Sequence, residues 1–285
     1  MSAATGAQAR LVELASGRVV AELHLGAEAK YLTAAPDRFG VADESGEIRI
    51  VSPDGRELLR ASTGEAVQAI VLLQGERWIA VGDRTLRLYE RERVVATYPA
   101  ARTDQGVIGT LSPDGRWMAL VGLKEVWLHD PKSPATLGRL IGHQGAAINA
   151  GFDAAGTRLV STSQDGGAIV WAHAQRVPLR RLISRSQYLA GAVFDESDAV
   201  IVALDGTGSL QLFDAATGAG IGAIDGRMQL PQALRRSADG AYIGMGFHGR
   251  VEVWRIPRDR DSIAAAERDL ACKAPPNQVV GACTK

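Results

Sequence analysis

Seven times along this 285-residue chain an alternating apolar segment ends on a bulky residue, usually with a polar one after it, and the interval between endings hardly changes. The endings are Val12-Glu13, Val51-Ser52, Tyr89-Glu90, His129-Asp130, Trp171-Ala172, Phe213-Asp214 and Trp254-Arg255, so the bulky positions lie 39, 38, 40, 42, 42 and 41 residues apart. A fixed period of about 40 residues means one supersecondary unit copied six times. That repeat constrains the fold before any residue's chemistry is considered.

The copy from Leu140 to Ala172 shows the internal plan most clearly. A loop carries Gly142-His143, a strand runs through Ile148 to Phe152, and a turn at Gly156 leads into Leu159-Val160-Ser161-Thr162-Ser163. Asp165-Gly166 turns the chain into Ala168-Ile169-Val170-Trp171, and Val177 to Leu182 makes a fourth strand after a polar break. Period-2 alternation bounded by Gly, Asp and Pro is the strand and hairpin signature, and four short strands per unit describe a propeller blade. The expected fold is therefore an all-β propeller of six complete repeats over residues 1–257, six blades, or seven if further residues supply strands. Ring closure is expected from Val19 to Leu23 pairing with Val251 to Trp254, which removes the exposed edges. Arg10 to Leu14 reads as one more third strand whose first and second strands are missing on its N-terminal side, either an extra edge strand or a sign that the chain is the C-terminal part of a longer protein. In the tail, residues 258–285, Asp261-Ser262 can cap a short helix from Ile263 to about Lys273, ended by Pro275-Pro276.

Gly142-His143, then Asp165, then Trp171 six residues later, resembles the motif of the WD-repeat β-propellers. Leu111-Ser112-Pro113-Asp114-Gly115-Arg116, Ser237-Ala238-Asp239-Gly240 and Leu212-Phe213-Asp214-Ala215-Ala216-Thr217-Gly218 are phrases at home in such blades, and the resemblance covers roughly residues 8–257. It implies a hydrogen-bonded structural tetrad of His143, Ser161, Asp165 and Trp171, tying an inter-blade loop to the third strand. Only this copy keeps both the Gly-His and the Trp. Asp43, Asp83 and Asp205 sit near the corresponding turn with no His in the loop before them, so those blades are expected to depend mainly on packing of Val, Ile and Leu.

Charge is balanced at 32 basic and 32 acidic residues, and no basic surface excess points to nucleic acid as a partner. Arg176, Arg180, Arg181 and Arg185 cluster in sequence but read as a solvated outer edge. With no signal-peptide pattern and no run of about 20 apolar residues, the chain reads as a cytoplasmic monomer without a membrane partner. Cys272 and Cys283 lie outside the repeats and read as free thiols, and the preference for Arg over the five Lys suggests a bacterial source.

Searches for reaction chemistry give little. Gly244-Met245-Gly246-Phe247-His248-Gly249 spells a dinucleotide fingerprint, yet the strand-like Val251-Glu252-Val253-Trp254 follows where a helix is needed, so it reads as a hairpin turn. No Gly is followed by Lys, which removes the usual phosphate loop, and the five His show no metal-ligand spacing. His129 reads as a packed residue. Asp214 to Gly218 matches half of a quinone-cofactor motif, but Gly222 stands where a Trp is needed, so no cofactor is expected. Trp78, Trp117 and Tyr242 recur at one point near the start of the second strand, which reads as inter-blade packing.

Two classes of function follow. One is a non-enzymatic scaffold for protein–protein interaction, with the sensor or regulatory part of a larger bacterial signalling protein as its subsidiary form. The alternative is a propeller enzyme, a lactonase or hydrolase with a metal in the central channel, but the positions expected near a channel, around Ile108, Ile148 and Val193, are apolar. The expected partner face gathers the loops entering each first strand, with Arg102, Asp104, Gln105, Gln144, Gln187, Tyr188, Arg227, Met228 and Gln229, and with Tyr188 and Arg227 as anchors for a protein or peptide.

Overall fold

A computed structural model of the protein describes residues 2–5, 8–12, 18–35, 37–82, 85–99, 108–225, 231, 233–237, 242–247, 250–256 and 262. Its strands form seven consecutive antiparallel sheets, five of four strands and two of three. The first three-stranded sheet holds β1 (Ser2–Thr5), β2 (Gln8–Val12) and β3 (Val19–His24). Two four-stranded sheets follow: β4 (Ala29–Ala35), β5 (Arg38–Asp43), β6 (Glu47–Val51) and β7 (Glu57–Ser62), then β8 (Ala69–Leu72), β9 (Arg77–Val81), β10 (Thr85–Glu90) and β11 (Arg93–Pro99). Next come β12 (Ile108–Leu111), β13 (Met118–Gly122), β14 (Glu125–Asp130) and β15 (Ser133–Ile141), and then β16 (Ala147–Phe152), β17 (Leu159–Ser163), β18 (Gly167–Ala172) and β19 (Val177–Ile183). The last four-stranded sheet is β20 (Leu189–Phe194), β21 (Val200–Asp205), β22 (Leu210–Asp214) and β23 (Gly220–Ile224). A final sheet holds β24 (Ala233–Arg236), β25 (Tyr242–Phe247) and β26 (Arg250–Arg255). Each sheet keeps its strands in chain order, so every connection within it is a hairpin.

The N-terminal segment departs from the expected ring closure. β3 pairs with β2, Ala9 opposite Leu23 and Arg10 opposite Glu22, and β1 pairs with the other edge of β2, Thr5 opposite Gln8. The strand containing Arg10 is thus the middle of its own sheet and not a lone edge. Only two residues separate Thr5 from Gln8, and such short connections make local hairpin pairing cheaper in chain entropy than pairing with a strand more than 200 residues away. The strand holding Gly244 to Phe247 pairs antiparallel with β26, Phe247 opposite Arg250, and a strand and not a helix follows the glycine-rich stretch. The expected C-terminal helix, Ile263 to about Lys273, lies outside the described residues. No helix among the described residues is long and apolar enough to cross a membrane.

The chain divides into two compact units, Met1–Leu111 with Gly115–Gly122 and Leu128–Leu137, and Ser112–Asp114 with Leu123–Trp127 and Gly138–Lys285. In the first, one cluster joins Ala9, Leu11 and Leu23 to Val41 and Val51, and another joins Ile48 and Ile50 to Ile70, Leu72, Trp78 and Tyr89. In the second, β21 is buried on both faces. Its Ile201 and Ala203 pack with Val160, Val170, Leu182 and Phe194, while Val200, Val202 and Leu204 pack with Leu234, Ile243 and Met245. That is why Val-Ile-Val-Ala-Leu reads as a continuous apolar run instead of a half-polar alternation.

Three aromatics that recur near the start of the second strand differ in environment. Trp78 is 1% exposed, stacks on its cross-strand neighbour Tyr89 with ring centroids 3.9 Å apart, and donates its indole N–H to the Arg91 carbonyl at 2.8 Å. Trp117 is half-buried just before β13, and Tyr242 is 42% exposed, so packing is the role of Trp78 and not of Tyr242. We expect Trp78→Ala to cost about 3–5 kcal/mol through the cavity it leaves, and Tyr242→Ala below about 1.5 kcal/mol, read by urea denaturation.

Candidate functional site

The first-to-second-strand pairings place the sheet ends. Ala147 at the start of β16 lies opposite Ser163 at the end of β17, so the loop entering β16 and the β17–β18 turn share one end of the sheet. At that end the four residues His143, Ser161, Asp165 and Trp171 form a continuous chain of hydrogen bonds. The Trp171 indole N–H donates to Ser161 Oγ at 2.8 Å, Ser161 Oγ lies 2.7 Å from His143 Nε2, and His143 Nδ1 lies 3.3 Å from Asp165 Oδ2. Because Asp165 is an ionised acceptor and His143 is held neutral, the imidazole proton is assigned to Nδ1, toward Asp165, and Nε2 accepts from the Ser161 hydroxyl. Asp165 also accepts the Gln144 and Gly167 amides, each at 2.8 Å. Burial opposes ionisation of Asp165, but these amides and His143 outweigh it and hold the carboxyl below its ordinary range. Burial likewise pushes His143 below the usual imidazole range.

Ser161, His143 and Asp165 have the connectivity of an acyl-transfer triad. Here Ser161 is 0% exposed and its oxygen is taken by Trp171, so no substrate carbonyl reaches it. The set is a brace. No group of three His, Cys, Asp or Glu side chains among the described residues is arranged to hold a metal.

Asp43 and Asp205, expected near the corresponding turn without a His, lie at the strand end that enters it. They end the second strands of their sheets, opposite Ala29 and Leu189, which is the place of Ser163 and not of Asp165. Each is nevertheless saturated. Asp43 accepts the Ala27 amide from the preceding loop at 3.1 Å, the Ser45 and Glu47 amides at 2.9 Å and the Ser45 hydroxyl at 2.7 Å. Asp205 takes the Thr207 and Ser209 amides, the Thr207 hydroxyl and the Gln211 side-chain amide at 3.1 Å. Gln211, on the third strand, also donates to Ser184 and accepts from the Arg185 amide, linking loop to turn without any His. These sheets therefore brace their turns with carboxylates, in addition to packing. Asp83 lies outside the described residues.

The brace carries the loop end. Gly166 has φ +75°, and a Cβ there would fall 2.6 Å from the Ser186 carbonyl, so glycine lets the loop before β20 lie directly on the turn. Gln144, held through its amide, and Gln187, against Gly166, thus flank one turn with exposed side chains. Tyr188 follows half-buried on the β20–β26 core, its ring against Gly206, and burial raises its phenol pKa. Gln144, Gln187 and Tyr188 are brought together. Arg102, Asp104, Gln105, Arg227, Met228 and Gln229 lie outside the described residues.

At the opposite sheet end the structure shows a second network that sequence reading passed over. Asp153 accepts the Thr157 and Arg158 amides and Arg158 Nε, and Asp195 accepts the Ala199 and Val200 amides and the Ser197 hydroxyl. Asp198 receives the Ala154 and Ala155 amides of the neighbouring hairpin, and Arg158 lies over Phe194, 4.9 Å from its ring centre. Phe-Asp at the end of both first strands was the available signal. His129 and His173 are buried; His173 meets Phe152 edge-on, and burial holds its pKa down.

No protein-family model matches the chain, and no curated protein matches it either.

We expect Asp165→Ala and Asp205→Ala to cost similar amounts, about 1–3 kcal/mol each, because both strip buried turn donors, and Trp171→Ala to cost about 3–5 kcal/mol. Urea denaturation of the three variants checks this, and a silent Asp205→Ala would overturn the equivalence. Acid sensitivity follows from the same geometry. His143 and His173 have folded pKa values below the ordinary 6.5, so the unfolded chain binds the proton first. Their contribution is complete above pH 6.5 and is lost as pH falls toward the folded values, with the Asp165 contribution lost at lower pH still. The melting temperature should decline on acidification below pH 6.5, and His143→Gln should make that decline shallower. An unchanged slope would sink the role given to His143.

Proposed function

We propose that the chain is a WD-repeat-type β-propeller serving as a non-enzymatic scaffold in a bacterial cytoplasm, the sensor or regulatory part of a larger signalling protein. The repeat of about 40 residues, the run of consecutive antiparallel sheets and the His143–Ser161–Asp165–Trp171 brace support the architecture. The observation that carries the function is the loop end of the β16–β19 sheet. Hydrogen bonds to Asp165 fix the backbone there while Gln144 and Gln187 stand exposed beside Tyr188. A rigid backbone that presents adaptable polar groups next to an aromatic ring loses little entropy on binding, which suits recognition of a folded domain or peptide. The same rigidity leaves the Ser-His-Asp set sealed, so the brace serves presentation and not chemistry.

Photo-cross-linking tests this reading. A benzoylphenylalanine placed at Gln144 or at Gln187 should trap the same partner in the native organism, and one at Gln175, in the β18–β19 turn at the other sheet end, should not. The double change Gln144→Arg with Gln187→Arg should weaken that partner's binding at least about tenfold with little change in melting temperature, since both side chains are exposed. Tyr188→Phe is the suitable variant at the anchor, because truncating the half-buried ring to Ala would also remove core packing. A partner trapped only from Gln175 would place recognition at the wrong end for this proposal.

A further inference from the structure

The outer strands of these sheets and the strands beside them carry arginines, and several of these face a carboxylate on the adjacent strand. Arg10 on β2 pairs with Glu22 on β3 at 3.1 Å, Arg60 on β7 with Glu47 on β6 at 2.9 Å, and Arg139 on β15 with Glu125 on β14 at 3.3 Å. Arg49 on β6 pairs with Glu57 on β7, and Arg93 on β11 stands opposite Glu90 on β10. Cross-strand pairs of this kind neutralise an edge within its own sheet.

β19 breaks the pattern. The residues opposite Arg180 and Arg181 are Val170 and Ile169, because β18 is apolar throughout from Ala168 to Trp171. Among the described residues Arg180, Arg181 and Arg185 form no ion pair. Instead Arg180 Nε donates to the Ala216 carbonyl at 2.8 Å and Arg181 donates to the Gly142 carbonyl at 2.6 Å, contacts that orient the guanidinium groups without cancelling their charge. In a chain of zero net charge this is a local positive excess.

Beside these arginines lies a groove of about 470 Å³ between β19 and the outer strands of the next sheet, within the size range of ligand sites. Arg181, Ile183 and Arg185 line one side, and Gly220, Ile221 and Gly222 line the other. No Asp or Glu lines it. The groove exists because β23 lacks side chains where other outer strands have them: a Cβ built on Gly220 meets nothing within 4 Å. Ile183 is 80% exposed beside the arginines, an apolar surface that water covers at a cost. Gln211 also borders the groove but is spent on Ser184, Asp205 and the Arg185 amide, so its side chain offers little to a ligand.

We propose that this groove binds an extended acidic peptide segment of a partner protein, with carboxylates meeting Arg181 and Arg185 and an apolar side chain covering Ile183 and Ile221. Both β19 and β23 end their sheets, so an extended chain can add backbone hydrogen bonds at either edge. The site adjoins the Gln144–Gln187 loop end, since Arg181 reaches the Gly142 carbonyl, but none of Gln144, Gln187 and Tyr188 lines it, so it does not depend on that reading.

Fluorescence anisotropy tests the proposal on the full chain, with a fluorescein-labelled octapeptide of alternating Glu and Leu as probe. The peptide should bind saturably and weaken as salt rises from about 50 to about 300 mM. Its Lys-and-Leu counterpart should bind at least about tenfold more weakly. Arg181→Glu with Arg185→Glu should weaken binding at least about tenfold, and so should Gly220→Leu, which adds bulk on the groove wall at a position where a Cβ meets nothing within 4 Å. A Gln144→Ala, Gln187→Ala variant, which adds no charge beside Arg181 and Arg185 and removes neither of them, should bind the peptide normally, which separates failure here from failure of the loop-end proposal. No saturable binding, equal binding of the Lys peptide, or an unaffected Gly220→Leu variant overturns the assignment. Displacement by single-stranded polyuridylate at matched charge would also overturn it, showing a general polyanion surface instead of a peptide groove.

Discussion

Burial of both faces of a small sheet is the constraint from which the other features of this protein follow. β21 shows it: successive residues from Val200 to Leu204 pack alternately toward the β16–β19 sheet and toward the β24–β26 sheet, so the strand has no solvent face. A sheet of three or four strands has too little apolar surface to be stable alone, and only stacking against copies of itself removes enough of it from water. Outer strands lie where that stacking ends. They carry the exposed Val94, Val95, Leu137, Val177 and Ile183, and the arginines that keep such edges from pairing indiscriminately.

Stacking sheets face to face leaves their turns crowded against the loops of neighbours, and buried carboxylates resolve the crowding. A carboxylate accepts several donors at once, so Asp43, Asp153, Asp195 and Asp205 each satisfy two or more backbone amides that would otherwise be buried without partners. Asp165 does the same through its loop and turn amides and adds His143, Ser161 and Trp171 to the set. The repeats therefore share one requirement, a saturated acceptor near the turn, met by different residues. Strict letter-by-letter comparison hides that equivalence, since Gln211 does for Asp205 part of what His143 does for Asp165.

The exception on β19 has the same origin. β18 is apolar because both of its faces are buried, and that leaves no cross-strand carboxylate for Arg180 and Arg181. Elsewhere the third strand retains a partly exposed acidic residue, as Glu47 on β6 and Glu125 on β14 do. Where the core claims every position of a strand, the edge next to it keeps an unbalanced charge.

The sequence by itself determined the repeat, its period of about 40 residues and the antiparallel hairpin plan, because these rest on local signals: alternation within one strand and turn residues at fixed offsets. The composition of the brace around Trp171 was implied by the resemblance of Gly142-His143, Asp165 and Trp171 to the WD-repeat motif. Gln144, Gln187 and Tyr188 could be named from the sequence as loop residues, but their gathering at one turn depends on Gly166 admitting the next loop at van der Waals distance. Tertiary structure alone decided that β3 completes a sheet with β1 and β2, that Asp43 and Asp205 occupy the place of Ser163, and that Tyr242 is exposed where Trp78 is sealed. It also placed Arg181 and Arg185, exposed as a solvated edge should be, along one wall of a groove. Each of these depends on which residue of another strand or sheet lies opposite, and that information is set by packing across the fold and not by neighbours in the chain.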